Sequence, residues 1–206
     1  MNGEAKTTFL PVEGAYDRWA ASYDSYDNPM VFMASPAISR SMSDLTGARV
    51  FEFGCGTGRN LARLISLGAA SVAGCELPEG MPTIARRRRP EAELFRQDMT
   101  EPIPGVKATV ADLALFSLTL EHVCGLITPL SQAPHVLVPG GRIAIFEIHP
   151  FLSLSGVAAH FEDGGERCGC EWRPCDIGAP ATLRTLKRGP DFPLLVEFLL
   201  ELQPAD

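Results

Sequence analysis

The sequence predicts an α/β protein in which helices cover both faces of a doubly wound, mostly parallel β-sheet. Two observations lead to this fold class. Short apolar runs alternate with helical patterns from Arg49 to Pro150, as in a series of β-α-β units. In addition, the first apolar run ends in closely spaced glycines and the next one ends in an acid. In such sheets, ligands bind at the carboxyl ends of the strands.

Length and composition fit one domain with a substantial core. The chain has 206 residues, of which 46% are hydrophobic and 21% are charged, as is ordinary for a globular protein. We expect a single domain over residues 1–206, with a helical N-terminal lid (1–48), a ligand-binding core (49–150) and a shortened closing region (151–206). The sequence contains neither an apolar stretch of about 20 residues nor a leader pattern, so we expect a cytoplasmic protein without a membrane partner.

The net charge of −7 disfavours a nucleic-acid partner, because neutralising phosphates requires a basic surface. The run Arg86–Arg89 is a local exception. Cations at the end of a helix complement its dipole, so we expect a solvated helix end at this run, with a basic binding patch as the alternative.

Six cysteines are present. Three of them lie far apart in apolar segments, as reduced thiols of a cytoplasmic protein do. The other three, with one histidine, are an alternative zinc-ligand set: Cys168, Cys170, Cys175 and His160. Their spacing lacks the usual C-x₂-C unit, so we expect no metal site.

The elements follow from local patterns. Two helices are expected over residues 13–45, with Pro29 and Pro36 breaking or beginning them. The strands are short apolar runs, as buried parallel strands are. They are Val50–Phe53, Ser71–Glu76, Ala92–Gln97, Ala111–Ser117 and Arg142–Ile148. Beyond Pro150 the pattern is less regular, and a last strand is expected within residues 192–202.

The most informative segment is the glycine-rich turn Glu52–Gly58, which joins the first predicted strand to a helix. Gly54, Gly56 and Gly58 lack a Cβ, so the backbone can turn tightly and approach a ligand. The helix that follows directs free N–H groups at the same place. A dinucleotide-binding turn has the pattern G-x-G-x-x-G, but Arg59 stands where its last glycine is required. NAD is therefore the less favoured ligand.

Two acids accompany this turn. Glu76 closes the second predicted strand, where a carboxylate can accept hydrogen bonds from both hydroxyls of a ribose; capping of the next helix is the alternative. Glu52 lies on an otherwise apolar strand and would bury a charge without a partner. We therefore expect Glu52 to serve a polar site.

The pattern E-x-G-x-G-x-G resembles motif I of the class I S-adenosylmethionine-dependent methyltransferases. Further motifs resemble the same family, in its order, across about residues 14–150: Tyr16–Asp24, Gln97–Met99, Asp112–Val123 and Leu137–Arg142. The first of them resembles the N-terminal helix that covers the cofactor in the small-molecule branch, shared with quinone and malonyl-carrier methyltransferases. The resemblance implies a Rossmann-like sheet of about seven strands with an antiparallel last strand, the sixth being short and near Glu171–Pro174.

The resemblance also implies roles around S-adenosylmethionine. Glu52 would bind the cofactor's ammonium, the glycine turn its amino-acid part, and Glu76 its ribose. The expected cofactor-binding residues are Tyr16, Tyr23, Glu52, Gly54, Gly56, Gly58, Glu76, Leu77, Met81, Asp98, Met99 and Phe116. The alternatives are a simple turn for Asp98 and plain packing for Met81 and Phe116.

Tyr16 and Tyr23 are seven residues apart and would share one face of a helix, closing over the cofactor's carboxylate end; aromatic packing is the alternative. His122 and His149 follow the fourth and fifth predicted strands and are weak candidates for a general base. A structural or positioning role is favoured for both. Methyl transfer depends largely on alignment and on the exclusion of water, so a strong base is not required.

The sequence thus predicts an enzyme that transfers the methyl group of S-adenosylmethionine to an O, N or C atom of a small organic acceptor. A non-catalytic protein that binds the same cofactor and, less favoured, an NAD-dependent oxidoreductase are the alternatives.

Overall fold

The computed structural model describes residues 7–103, 111–149, 159–171 and 195–201. The strands are β1 (Thr8–Leu10), β2 (Arg49–Phe53), β3 (Ser71–Glu76), β4 (Glu93–Arg96), β5 (Ala111–Ser117), β6 (Leu137–Ile148), β7 (His160–Asp163), β8 (Glu166–Cys170) and β9 (Leu195–Glu201). The helices are α1 (Val12–Trp19), α2 (Pro29–Ser41), α3 (Arg59–Ser66), α4 (Gly80–Arg88) and α5 (Ile127–Val136), with a short 3₁₀ turn at Leu120–His122.

The main sheet has the strand order β4-β3-β2-β5-β6-β9. β2 pairs in parallel with β3 on one side and with β5 on the other. The chain runs outward from β2 to β4 and then crosses back to β5, so the direction of winding reverses between β2 and β5. The crevice outside the carboxyl ends of the strands at such a reversal is the usual ligand site of an open α/β sheet.

Apolar side chains cover both faces of this sheet. On one face, Ile38 of α2 and Leu61 and Leu64 of α3 pack in the same cluster as Val50 and Leu115. The other face is covered by a second cluster, which contains residues of α5 with the stacked phenylalanines of β2 and β5. Two covered faces explain why the central strands are apolar at nearly every position.

The main sheet has six strands among the described residues, so about seven strands stays a prediction. Glu171 follows β8 outside any strand, and residues 172–174 of the expected sixth strand lie outside the described part of the chain. The antiparallel last strand is confirmed, since β9 pairs antiparallel with β6.

A second, three-stranded sheet has the order β1-β8-β7. β1 pairs in parallel with β8. The prediction of a purely helical N-terminal part is therefore wrong, because it contains this strand. Trp19 of α1 is buried and stacks on Phe161 of β7 with the ring centroids 4.9 Å apart. This contact forms the centre of a small separate core.

The N-terminal helices differ from their predicted bounds. α1 ends at Trp19, and residues 20–25 form turns in which the Ser22 and Ser25 hydroxyls bond to backbone carbonyls three residues earlier. Such local bonds compete with a continuing helix. α2 begins at Pro29 behind Asn28, whose side chain accepts two backbone N–H bonds, as predicted for a helix start, but Pro36 lies inside α2 and does not break it.

Four of the described cysteines, Cys55, Cys75, Cys168 and Cys170, are free and buried. Cys124 is disulfide-bonded, so the expectation of reduced thiols is wrong at that position. Cys175 of the alternative zinc set lies outside the described residues, and no group of three metal-ligating side chains occurs within them. Of the helices that the structure describes, none combines the length and apolar character needed to cross a membrane.

Candidate functional site

A cavity opens at the carboxyl edge of the sheet, where β2 and β5 lie side by side. The residues that line it include those of the glycine turn together with Glu52, Arg59, Tyr23 and Leu118. The cavity therefore lies at the reversal of winding, where the fold predicts a ligand.

Two glycines of the turn have different surroundings. A Cβ on Gly54 would lie 2.1 Å from the Thr119 hydroxyl, so the segment after β5 packs directly on the turn. A Cβ on Gly56 would meet no atom within 4 Å, and Gly56 lines the cavity. The turn thus packs tightly against Thr119 at Gly54, and its backbone is open to the cavity at Gly56.

Glu52, the residue before the last of β2, is 1% exposed and lines the cavity. Its Oε1 accepts a hydrogen bond from Asn60 Nδ2 at 2.7 Å, whereas its Oε2 is buried without a hydrogen-bond partner. Burial raises the pKa of this carboxyl group to about 8, although the bond from Asn60 and the charge of Arg59 oppose the rise. Glu52 therefore offers an unused acceptor to a ligand, and a cationic group would suit it best.

Glu76 ends β3 and turns its carboxylate into the glycine turn. Its Oε2 accepts from the Gly56 N–H at 2.6 Å and its Oε1 from the Leu77 N–H at 3.0 Å. Burial raises the pKa of Glu76 to about 7, with both backbone bonds acting in the opposite direction. The two acids thus lie near the ends of neighbouring strands on either side of one turn.

Arg59 is a cavity residue that the sequence analysis treated only as a departure from the dinucleotide pattern. It is the first residue of α3, and its side chain lines the cavity. The guanidinium carbon lies 5.7 Å from the centre of the Tyr23 ring. The one available signal was its position directly after the third glycine, where a side chain begins a helix at the ligand edge.

The two predicted tyrosines have different positions. Tyr23 lines the cavity, and burial raises its pKa to about 12. Tyr16 packs on Trp19 and Tyr23, and its hydroxyl is hydrogen-bonded to His122 Nε2 at 2.8 Å. Burial lowers the pKa of His122 to about 4, so its imidazole is neutral at pH 7. Its Nε2 can therefore accept a hydrogen bond from the Tyr16 hydroxyl.

The segment after β5 is held in an uncommon backbone shape. Leu118, which lines the cavity, has a φ of 54°, a left-handed value that is rare for a residue with a branched side chain. Glu147 of β6 fixes the next residues, because its Oε1 accepts from the N–H groups of Thr119 and Leu120, each at 2.8 Å. Burial raises the pKa of Glu147 to about 8.

The N-terminal segment is fastened to the glycine turn by Asp24, Thr57 and Arg88, which we call the Asp24 cluster. Thr57 Oγ1 donates to Asp24 Oδ1 at 2.8 Å. Arg88 Nη2 donates to Asp24 Oδ2 at 2.5 Å, and Arg88 Nη1 to the Thr57 carbonyl at 3.1 Å. Arg88 belongs to the arginine run predicted to be a solvated helix end; Arg86, Arg87 and Arg88 are exposed there, and Arg88 in addition connects the N-terminal segment to the glycine turn.

The remaining predicted residues are not among those that line the cavity. Asp98 Oδ1 accepts from the backbone and the hydroxyl of Thr100, at 2.8 and 2.7 Å, which is the turn named as its alternative. Phe116 is fully buried and stacks on Phe53, while its successors Ser117 and Leu118 line the cavity.

Met81 is buried within α4, and Met99 is half-buried beside the second core cluster. Gly58 caps α3, and a Cβ on it would lie 3.0 Å from the Cβ of Ala85 on α4. His149 directly follows β6 and is half-buried.

Residues 50–141 match the family described as methyltransferase domain. The chain is 31% identical over 148 residues to a demethylmenaquinone methyltransferase of Clavibacter sepedonicus, a match that covers 70% of this chain and 58% of that protein. It is 27% identical over 139 residues to the biotin biosynthesis bifunctional protein BioHC of Cellvibrio japonicus (strain Ueda107), covering 68% of this chain and 27% of that protein.

Among solved structures, an S-adenosylmethionine-dependent methyltransferase from Mesorhizobium loti superposes with a TM-score of 0.52 at 27% identity, over 68% of this chain and 62% of that one. The chain spans 58% and 27% of the lengths of the two curated relatives. The matched region contains β2, the glycine turn, Glu76 and β5, which build the cavity. By these matches the chain resembles the S-adenosylmethionine-dependent methyltransferases, and they support S-adenosylmethionine as its cofactor.

Proposed function

We propose that this chain transfers the methyl group of S-adenosylmethionine to an O, N or C atom of a small organic acceptor. The proposal rests on one observation above all. An open glycine turn stands between the buried carboxyl group of Glu52 and the half-buried one of Glu76, at the point where the sheet reverses its winding. A cofactor with a cationic amino group at one end and a ribose next to it suits this arrangement.

The described residues fit the cofactor. The unpartnered Oε2 of Glu52 suits the ammonium, and the space over Gly56 allows close approach to the backbone. Glu76 would accept hydrogen bonds from the ribose hydroxyls, and the neighbouring Leu77 would lie beside the nucleoside. When bound, the cofactor supplies an electrophilic methyl group on a sulfonium. The chain's own part is to bind, to orient and to exclude water.

The adenine end is proposed to lie toward β4. Asp98 and Met99 follow β4, which pairs with β3, so both residues stand at the same edge as Glu76. Phe116 and Met81 would support the site from the core. His122 and His149 stay positioning residues in this proposal, because a sulfonium leaves as a neutral thioether and needs little help from a base.

The acceptor is proposed to be small and organic. The demethylmenaquinone methyltransferases among the relatives act, by their name, on a quinone, which makes a reduced naphthoquinone the first compound to try. A cytoplasmic location, the single domain over residues 1–206 and the absence of nucleic-acid and membrane partners belong to the same proposal. The negative net charge supports the exclusion of nucleic acid.

Two measurements test the function. Calorimetry should detect binding of S-adenosylhomocysteine and no binding of NADH; the reverse would favour the oxidoreductase. The protein should then transfer labelled methyl from S-adenosylmethionine to at least one compound in a panel of reduced naphthoquinones, malonyl thioesters, phenols and amines, with RNA as the negative control. Cofactor binding without transfer to any of them would favour the non-catalytic alternative.

A further inference from the structure

Arg59 is a half-buried cation whose hydrogen-bonding capacity is not used up within the described residues. Its Nε is buried without a hydrogen-bond partner, although a guanidinium has five N–H donors to satisfy. Leaving a buried donor unpaired is costly. Because Arg59 also lines the cavity, its incompletely bonded guanidinium points to a ligand there that completes its hydrogen bonds.

The position of Arg59 makes the ligand an anion. Arg59 begins α3, an eight-residue helix whose free N–H groups and dipole carry partial positive charge at this end. The ring of Tyr23 lies against the guanidinium at 5.7 Å and limits the directions it can take. A fixed guanidinium fork is well matched to the two oxygens of a carboxylate.

The same cavity also holds an acidic side chain. Glu52, 1% exposed and with one oxygen unpartnered, lines it together with Arg59. The two side chains influence each other electrostatically, and they form no ion pair among the described residues. A cavity with one acid and one guanidinium fits a ligand group that carries both charges, which in S-adenosylmethionine is its α-amino-acid end.

We infer that Arg59 binds the carboxylate of the cofactor's amino-acid group, while Glu52 binds the ammonium, so that the site selects nucleosides carrying a zwitterionic amino acid. This inference rests on the proposed cofactor position at the glycine turn. It makes Arg59 a specificity-determining residue rather than a departure from the expected helix start.

The test compares two ligands that differ only in the amino-acid end. S-adenosylhomocysteine carries the zwitterion, whereas 5′-methylthioadenosine has the same nucleoside and a thioether without it. Calorimetry on Arg59→Met should show an affinity for S-adenosylhomocysteine lowered about 10- to 100-fold, as for loss of charge-assisted hydrogen bonds. The affinity for 5′-methylthioadenosine should change less than about twofold, which also shows that the variant is folded.

Arg59→Lys keeps the positive charge but lacks the paired N–H donors of a guanidinium. Its affinity for S-adenosylhomocysteine should therefore lie between those of Arg59→Met and the unaltered protein. Arg87→Met, at an exposed position of α4, removes one positive charge elsewhere and should change neither affinity. Equal weakening of both ligands by Arg59→Met, or no weakening of either, would overturn the role of Arg59. Failure of the unaltered protein to bind S-adenosylhomocysteine would instead contradict the proposed function.

Discussion

Glu52 couples ligand binding to a proton. Its pKa of about 8, raised by burial, keeps the carboxyl group largely protonated at pH 7. An ammonium placed beside it favours the carboxylate and lowers that pKa. Binding of S-adenosylhomocysteine at pH 7 should therefore release protons, measured as a dependence of the binding enthalpy on the ionisation enthalpy of the buffer.

Glu52→Gln provides the control for this prediction. The amide cannot ionise, so the variant should release fewer protons on binding. The remaining proton release would come from Glu76, whose pKa is about 7. An unchanged proton release in Glu52→Gln would show that the ammonium binds elsewhere.

Gly54 and Gly56 provide a matched pair, because an added Cβ would meet Thr119 at the first and open space at the second. Gly54 and Gly56 both have positive φ values, 71° and 52°, so alanine adds backbone strain of about 1–2 kcal/mol at either position. Only Gly54→Ala also forces a Cβ against Thr119, for which we expect a further loss of about 1–3 kcal/mol in unfolding free energy. Chemical denaturation measures the difference.

Gly56→Ala should instead lower the affinity for S-adenosylhomocysteine, because its methyl group would project toward the cavity that this residue lines. Calorimetry on the folded variant measures this loss. A Gly56→Ala protein that binds as well as the unaltered chain would remove the glycine turn from the cofactor site.

Sequence patterns identify some of these residues and miss others for a physical reason. A glutamate on an apolar strand is conspicuous because burying it is costly, so Glu52 was predicted and lines the cavity. Arginine at the start of a helix is usually solvated and attracts no notice. Phe116 could not be separated from Ser117 and Leu118, because alternate residues of a strand point to opposite faces and the pattern does not say which face the ligand meets.

The Asp24 cluster connects the N-terminal segment to the glycine turn and to α4. Asp24 lies next to Tyr23, whose ring rests against Arg59, so the cluster also holds one wall of the cavity. The Asp24 and Arg88 side chains are about one third exposed, and pairs of this kind contribute modestly, about 1 kcal/mol.

Asp24→Asn and Arg88→Met should each lower the affinity for S-adenosylhomocysteine about 2- to 10-fold. The double variant should lose little more than either single one, because both break the same contact. Glu91→Gln, which breaks an ion pair with Arg89, should have no effect. Strictly additive losses in the double variant would contradict a shared role for the cluster.

Elements were predicted best where burial dictates the residues. Ser71–Glu76 and Ala111–Ser117 have the predicted bounds, since parallel strands covered on both faces are continuous apolar runs. The small sheet was missed because β1 has three residues and β7 and β8 are rich in charge. Its parallel pairing joins distant parts of the chain, which local patterns cannot reveal.

The whole molecule should lose stability as the pH rises from 6.5 to about 8.5. Burial raises the pKa of Glu147 to about 8 and that of Glu121 to about 7, so the folded state binds protons more tightly than the unfolded chain. Their stabilisation is complete below the unfolded carboxyl pKa and is lost as the pH passes the folded value. His122, with its lowered pKa, has the opposite effect, but only below about pH 6.5.

Urea unfolding at a series of pH values measures this trend, whose slope per group is at most about 1.4 kcal/mol per pH unit. Glu147→Gln keeps an acceptor for Thr119 and Leu120 but cannot ionise, so its stability should fall less steeply over this range. If the unfolding free energy of Glu147→Gln falls with pH as steeply as that of the unaltered chain, groups other than Glu147 cause the pH dependence.

The pairing of β1 with β8 and the stacking of Trp19 on Phe161 tie α1 to the β7–β8 hairpin. These two stretches, far apart along the chain, therefore pack as one unit. A substitution that loosens the packing of α1 would accordingly loosen the hairpin as well.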